Sequence, residues 1–195
     1  MTVTDSKTPP PAPEIPIANF TSTNSVVLPY SLTTVFPVLT SGSNLETVAR
    51  LSDLCTTFTT GETRSISISP GLLSTARGTS SLPASAAAAQ SGLERTTFVL
   101  EEKVPFMKGL FKNKVTIRGS QTADWEGRCC LYESVAEKQG VFIWKLRTFE
   151  EVEGGKTKVT ELIEGSCQGW MRYFVEKECK RANLAQMEKY HMLFN

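Results

Sequence analysis

Five segments between residues 95 and 165 alternate apolar and polar side chains, and the links between them are short. The segments are 95–103, 113–122, 128–136, 141–151 and 156–165. Alternation with a period of two marks strands with one face buried. Parallel neighbours need a crossover of a dozen or more residues, and these links are shorter. The pattern therefore predicts an antiparallel meander. Gly109, Gln139-Gly140 and Gly154-Gly155 mark its turns, and the glycine pair is the strongest hairpin signal in the chain.

After the meander the period changes. From about residue 169 to 194 there is no proline, and glycine occurs only at the start. Met171, Val175, Cys179, Ala182, Gln186, Tyr190 and Leu193 recur at spacings of three and four, an apolar helical stripe. At ~1.5 Å per residue such a helix is about 40 Å long, enough to cross the face of a sheet.

Upstream, residues 25–31 read as a first strand and 32–39 as a short helix containing Pro37. A second helix is expected at 45–51, with Asn44 as N-cap and Glu46 in its first turn. Residues 56–69 are strand material interrupted by Gly61-Glu62. Residues 1–22 are polar and rich in proline and read as a disordered tail, leaving one domain at 23–195. Residues 74–92 form a low-complexity loop between two strands.

Composition removes several function classes. Formal net charge is +1, with both signs mixed along the chain, so the basic footprint of a nucleic-acid binder is missing. No apolar run would span a bilayer as an integral segment. The N-terminus has no apolar stretch of the secretory kind, so a cytoplasmic location is expected. The five cysteines are odd in number, irregularly spaced and without a C-x-x-C pair, which reads as reduced thiols filling apolar space. The single histidine, His191, rules out a multi-histidine metal site. Neither a Walker motif, a G-x-G-x-x-G after a strand, nor a G-x-S-x-G elbow occurs, so no cofactor is expected.

The order of elements resembles a known architecture. The resemblance is carried by Val26-Val27-Leu28-Pro29-Tyr30-Ser31-Leu32-Thr33-Thr34-Val35-Phe36-Pro37-Val38-Leu39, by Lys158-Val159-Thr160-Glu161-Leu162-Ile163-Glu164-Gly165 and by the terminal helix. It is to the helix-grip fold of the START lipid-transfer and birch-pollen-allergen superfamily (SRPBCC), which includes polyketide cyclase/dehydrase-like proteins. The resemblance implies an α+β fold in which a curved antiparallel sheet, two short helices and a long C-terminal helix enclose an apolar cavity. It also implies a sterol, lipid, polyketide or similar small hydrophobic molecule as partner. Some members of the superfamily only bind, and others catalyse.

Strand alternation supplies a lining for that cavity. Phe142, Trp144 and Leu146 share a face against Lys145 and Arg147, and the aromatic face is expected inward. Val159, Glu161 and Ile163 are expected inward on the last strand, and Tyr132, Val115 and Ile117 on the two before the aromatic one. Met171, Val175, Cys179, Ala182 and Tyr190 complete it from the helix. Glu161 is the sharpest catalytic candidate, since desolvation raises a carboxyl pKa toward that of a general acid or base. Tyr132 is a candidate donor to a carbonyl or enolate, and His191 a candidate base at one end of the cavity. The alternatives are a Glu161 paired with a basic neighbour, or facing water after a one-residue register slip, and a surface His191. Trp170 is expected beneath the helix. Tyr173, Leu184, Met187 and Phe194 lie off the stripe and suit a partner, such as a second copy in a homodimer, or the N-terminal segments.

Three functions remain open on the sequence. One is a cofactor-independent cyclase, isomerase or lyase of secondary metabolism acting on a polyketide- or terpenoid-like substrate. The second is a non-catalytic binding or transfer protein, and the third an interaction module.

Overall fold

Glycine conformation closes the meander at Gly140 and at Gly154-Gly155 as the sequence predicts, while Gly109 lies outside the described residues. In the computed structural model, which describes residues 16–75, 92–106 and 111–194, Gly154 and Gly155 have φ of 79° and 69°. This is the left-handed region that glycine enters without steric cost. The strands are β1 (Phe20–Leu28), β2 (Cys55–Ile66), β3 (Leu93–Phe106), β4 (Phe111–Asp124), β5 (Cys129–Ala136), β6 (Val141–Val152) and β7 (Lys156–Ser166). They form one antiparallel sheet in the order β1-β7-β6-β5-β4-β3-β2. Helices α1 (Leu32–Thr40) and α2 (Leu45–Ala49) join β1 to β2, and α3 (Arg172–Glu188) follows β7. The Gly61-Glu62 signal is a bulge within β2, between Thr60 and Thr63, and not the end of a strand.

The first strand and the terminal helix differ from expectation. The first strand starts at Phe20, inside the segment read as tail. Asn19 N–H donates to Gly165 O at 2.8 Å, and the Phe20 ring fills the space a Cβ on Gly165 would need. Residues 1–15 and 76–91, most of the expected tail and loop, lie outside the described residues. The terminal helix is in three parts, with 3-10 turns at Gly169–Met171 and Tyr190–Phe194 flanking α3. The last turn folds Tyr190 into full burial and stacks Phe194 on Tyr30 at 4.5 Å. Met187 is fully buried too, so Met187 packs within the fold and Phe194 against the N-terminal segment, the second of the two expectations for them. Among the described residues no helix is long and apolar enough to cross a membrane.

The two short helices are finished by side chains from elsewhere in the fold. A helix C-terminus leaves carbonyls without intrahelical partners. At the end of α1, Leu39 O accepts from Arg147 Nη1 at 2.5 Å and Thr40 O from Gln121 Nε2 at 2.9 Å. At the end of α2, Val48 O accepts from Gln186 Nε2 at 2.8 Å, and just beyond it Leu51 O accepts from Lys189 Nζ at 3.1 Å. Asn44 does not cap α2; its amide donates back to Val38 O at 3.2 Å.

Both faces of the sheet carry core. On the inner face Leu28, Leu32, Val35, Phe36, Leu39, Val159 and Met187 pack together. On the outer face Ile68 and Leu73, just after β2, cover Leu93, Cys129, Leu131 and Leu146. Asp124 ties that cover down. Its fully buried carboxylate accepts from Gly71 N–H at 2.8 Å, Leu73 N–H at 3.3 Å and Gly127 N–H at 2.9 Å. Hydrogen bonds to a charged group contribute about 1.5–3 kcal/mol each, without simple additivity. Asp124→Ala is therefore expected to lower unfolding free energy by roughly 2–4 kcal/mol and to speed cleavage near residues 71–73. Denaturant unfolding and limited proteolysis check this, and an unchanged cleavage rate would rule the tether out.

Candidate functional site

The inner sheet face, α2 and α3 enclose a cavity of about 530 Å³, within the range that accepts a drug-sized molecule. Leu45, Val48 and Phe58 line one wall, Leu100, Val104, Val115 and Ile117 the sheet, and Met171, Val175, Cys179 and Ala182 the helix. Trp170 stands at its rim, 74 % exposed, and is not beneath the helix as expected.

The facing of β6 is the reverse of the reading from alternation. Val141, Ile143, Lys145 and Arg147 point into the cavity. Phe142, Trp144 and Leu146 point to the outer face, where Leu146 joins the cluster under Ile68 and Leu73. Two charges on the strand suggested water. Inside the fold they have partners, and the outer face is itself covered, so apolar residues are stable there too.

Those partners converge on Glu161, which is fully buried on β7. Arg147 Nε donates to Glu161 Oε1 at 2.6 Å, and Tyr190 Oη donates to the same oxygen at 2.6 Å. Arg147 Nη2 donates to Tyr190 Oη at 2.7 Å. The Asn183 amide donates to Glu161 Oε2, and Asn24 Nδ2 holds Asn183 by its Oδ1 at 2.8 Å. Lys145 Nζ lies 3.4 Å from Oε2. One carboxylate thus joins β1, β6, β7, α3 and the last turn.

This overturns the expectation for its acidity. Burial by itself pushes the Glu161 carboxyl up, but the Arg147 and Lys145 charges and the Tyr190 hydrogen bond outweigh burial and hold it at about 2. A carboxylate so committed neither takes nor gives a proton near neutral pH. His191 is exposed on the final turn, with Nδ1 2.8 Å from Glu188 O, and does not face the cavity. Tyr190 and Val159 pack below the cavity and do not line it. Tyr132 and Ile163 do line it, and burial followed by the field of Glu102 raises the Tyr132 hydroxyl pKa.

Two groups escaped the sequence reading. Lys145 faces the cavity with its ammonium 4.9 Å from the centroid of the Tyr132 ring. Burial lowers its pKa and Glu161 opposes that fall. Glu102 faces the same cavity from β3 among Leu54, Leu100, Val104 and Val115. Burial raises its carboxyl pKa, with Lys145 opposing. Alternation of residues 95–103 places Glu102 with Phe98 and Leu100, and that signal was available in the sequence. The thiols are inert by comparison: burial pushes Cys130 and Cys179 up to about 12.

A grip of curved antiparallel sheet and C-terminal helix around a largely apolar cavity defines the helix-grip fold, and this chain has it. Known structures bear this out. The Zhui aromatase/cyclase from Streptomyces sp. R1128 superposes with a TM-score of 0.58 at 10% identity, covering 89% of this chain and 92% of that one. TTHA0849 from Thermus thermophilus gives 0.56 at 12% identity over 89% and 95%. Ara h 8.0201 gives 0.50 at 11% identity over 90% and 99%. No family model and no curated protein matches the sequence, so the likeness is one of fold.

Proposed function

We propose that the protein binds one small hydrophobic molecule in the cavity between the sheet and α3. The apolar space carries this reading: its size suits a small ligand, and most of its wall surface is apolar, with polar groups set among aliphatic side chains. Glu161, Arg147, Asn183 and Tyr190 keep the frame of the cavity in place while being spent on one another. Native mass spectrometry of protein purified from its own host tests the reading. A retained small molecule is expected, lost on unfolding. Protein that is empty and that takes up no hydrophobic molecule would favour the interaction-module alternative.

A second reading has its own observation. Glu102 is a carboxyl in an apolar wall, raised in pKa and without the hydrogen bonds that commit Glu161. Such a group suits proton transfer. With Tyr132 and Lys145 to polarise a carbonyl, the cavity would support cofactor-independent cyclisation, isomerisation or elimination, in keeping with its likeness in fold to an aromatase/cyclase. Glu102→Gln is then expected to lower turnover by about 10²-fold or more while leaving ligand affinity within a few-fold. Turnover equal to wild type in that variant would leave binding alone as the function.

A further inference from the structure

Charge is unevenly distributed around the cavity floor. Lys145 and Arg147 both point inward from β6, and Glu161 answers them with one carboxylate. Each nitrogen of Arg147 has a partner: Nε is on Glu161, Nη1 on Leu39 O and Nη2 on Tyr190 Oη. Glu161 accepts three hydrogen bonds, at Oε1 from Arg147 and Tyr190 and at Oε2 from Asn183. Lys145 is in a different position. Its Nζ lies 3.4 Å from Oε2 and over the Tyr132 ring, with a side chain 12 % exposed. An ammonium has three N–H donors, and the Glu161 contact uses at most one. The other inward carboxyls do not supply the balance. Glu178 is paired with Arg181 at 2.8 Å, and among the described residues the ion pair that Lys145 makes within 4 Å is with Glu161 and not with Glu102.

Resting on the reading that the cavity holds a small hydrophobic molecule, we propose that Lys145 is its specificity-determining residue and that the ligand is an amphiphile with a single carboxylate-type anionic head. The head meets the Lys145 ammonium on the cavity floor, and the apolar body lies along Val115, Ile117, Val175 and Ala182. A buried cation that keeps spare donors gains most from a partner that brings both an opposite charge and acceptor oxygens. An alcohol of equal length brings an acceptor without the charge.

The experiment is calorimetric titration of the whole chain with sodium decanoate and with 1-decanol. Wild type is expected to bind both, decanoate about tenfold or more tighter, as hydrogen bonds to charged groups imply. Lys145→Met is expected to bind decanol as before and to lose the preference. Lys145→Arg is expected to keep it, and the melting curves of both variants establish that they fold. Decanol and decanoate binding equally to wild type, or a preference that survives in Lys145→Met, overturns the assignment of Lys145 but leaves the hydrophobic cavity reading standing. Binding of neither compound overturns that reading, and the assignment with it.

Discussion

Glu161→Ala is expected to unfold with a free energy about 3–5 kcal/mol below wild type, the usual cost of leaving a buried charge without its partner. The variant strands Arg147, whose side chain is 4 % exposed, and Lys145, and it removes the acceptor for Tyr190 and Asn183. Denaturant titration checks this, and a loss below about 1 kcal/mol would mean that water replaces the carboxylate. The double variant Glu161→Leu with Arg147→Leu removes both charges and is expected to recover on the order of half the loss. The same carboxylate sets an acid limit. Its folded pKa of about 2 lies below the ordinary 4.5, so its contribution is fully present above pH 4.5. That contribution falls as pH drops through about 2. For a fully buried group the shift corresponds to about 3 kcal/mol. Glu161→Gln should flatten the stability profile of the wild type across this window.

Ala182→Trp is expected to abolish uptake of a hydrophobic probe while leaving the fold intact. Ala182 faces the cavity from α3, next to Cys179 and Asn183. An indole there enters empty space and so escapes much of the strain of overpacking a filled core. Affinity for 1-decanol should fall by about tenfold or more, with a melting temperature at or above that of wild type. Unaltered affinity would place the binding site elsewhere on the molecule.

How far the site was legible in the sequence depends on which residues one follows. Val115, Ile117, Ile163, Val175, Cys179 and Ala182 line the cavity as their periodicity indicates. Their positions follow from local geometry, because a strand alternates and a helix returns every three or four residues. Glu161 was legible in facing but not in chemistry. Whether a buried carboxylate is an acid or an ion depends on what lies within about 4 Å of it, and its partners come from β6, α3 and the last turn. The β6 facing misled because alternation does not say which of two faces is covered. Ile68 and Leu73 cover the outer one, and they precede β6 by some seventy residues.

The succession of strands, the long C-terminal helix and the existence of an enclosed apolar face were determined by the sequence alone, through period, turn chemistry and the absence of proline after residue 169. Tertiary structure decided which charges went inside. Arg147 is buried because the end of α1 offers it a carbonyl, β7 a carboxylate and the last turn a hydroxyl. Those three partners stand at residues 39, 161 and 190, and only the folded chain brings them within hydrogen-bonding distance of one guanidinium.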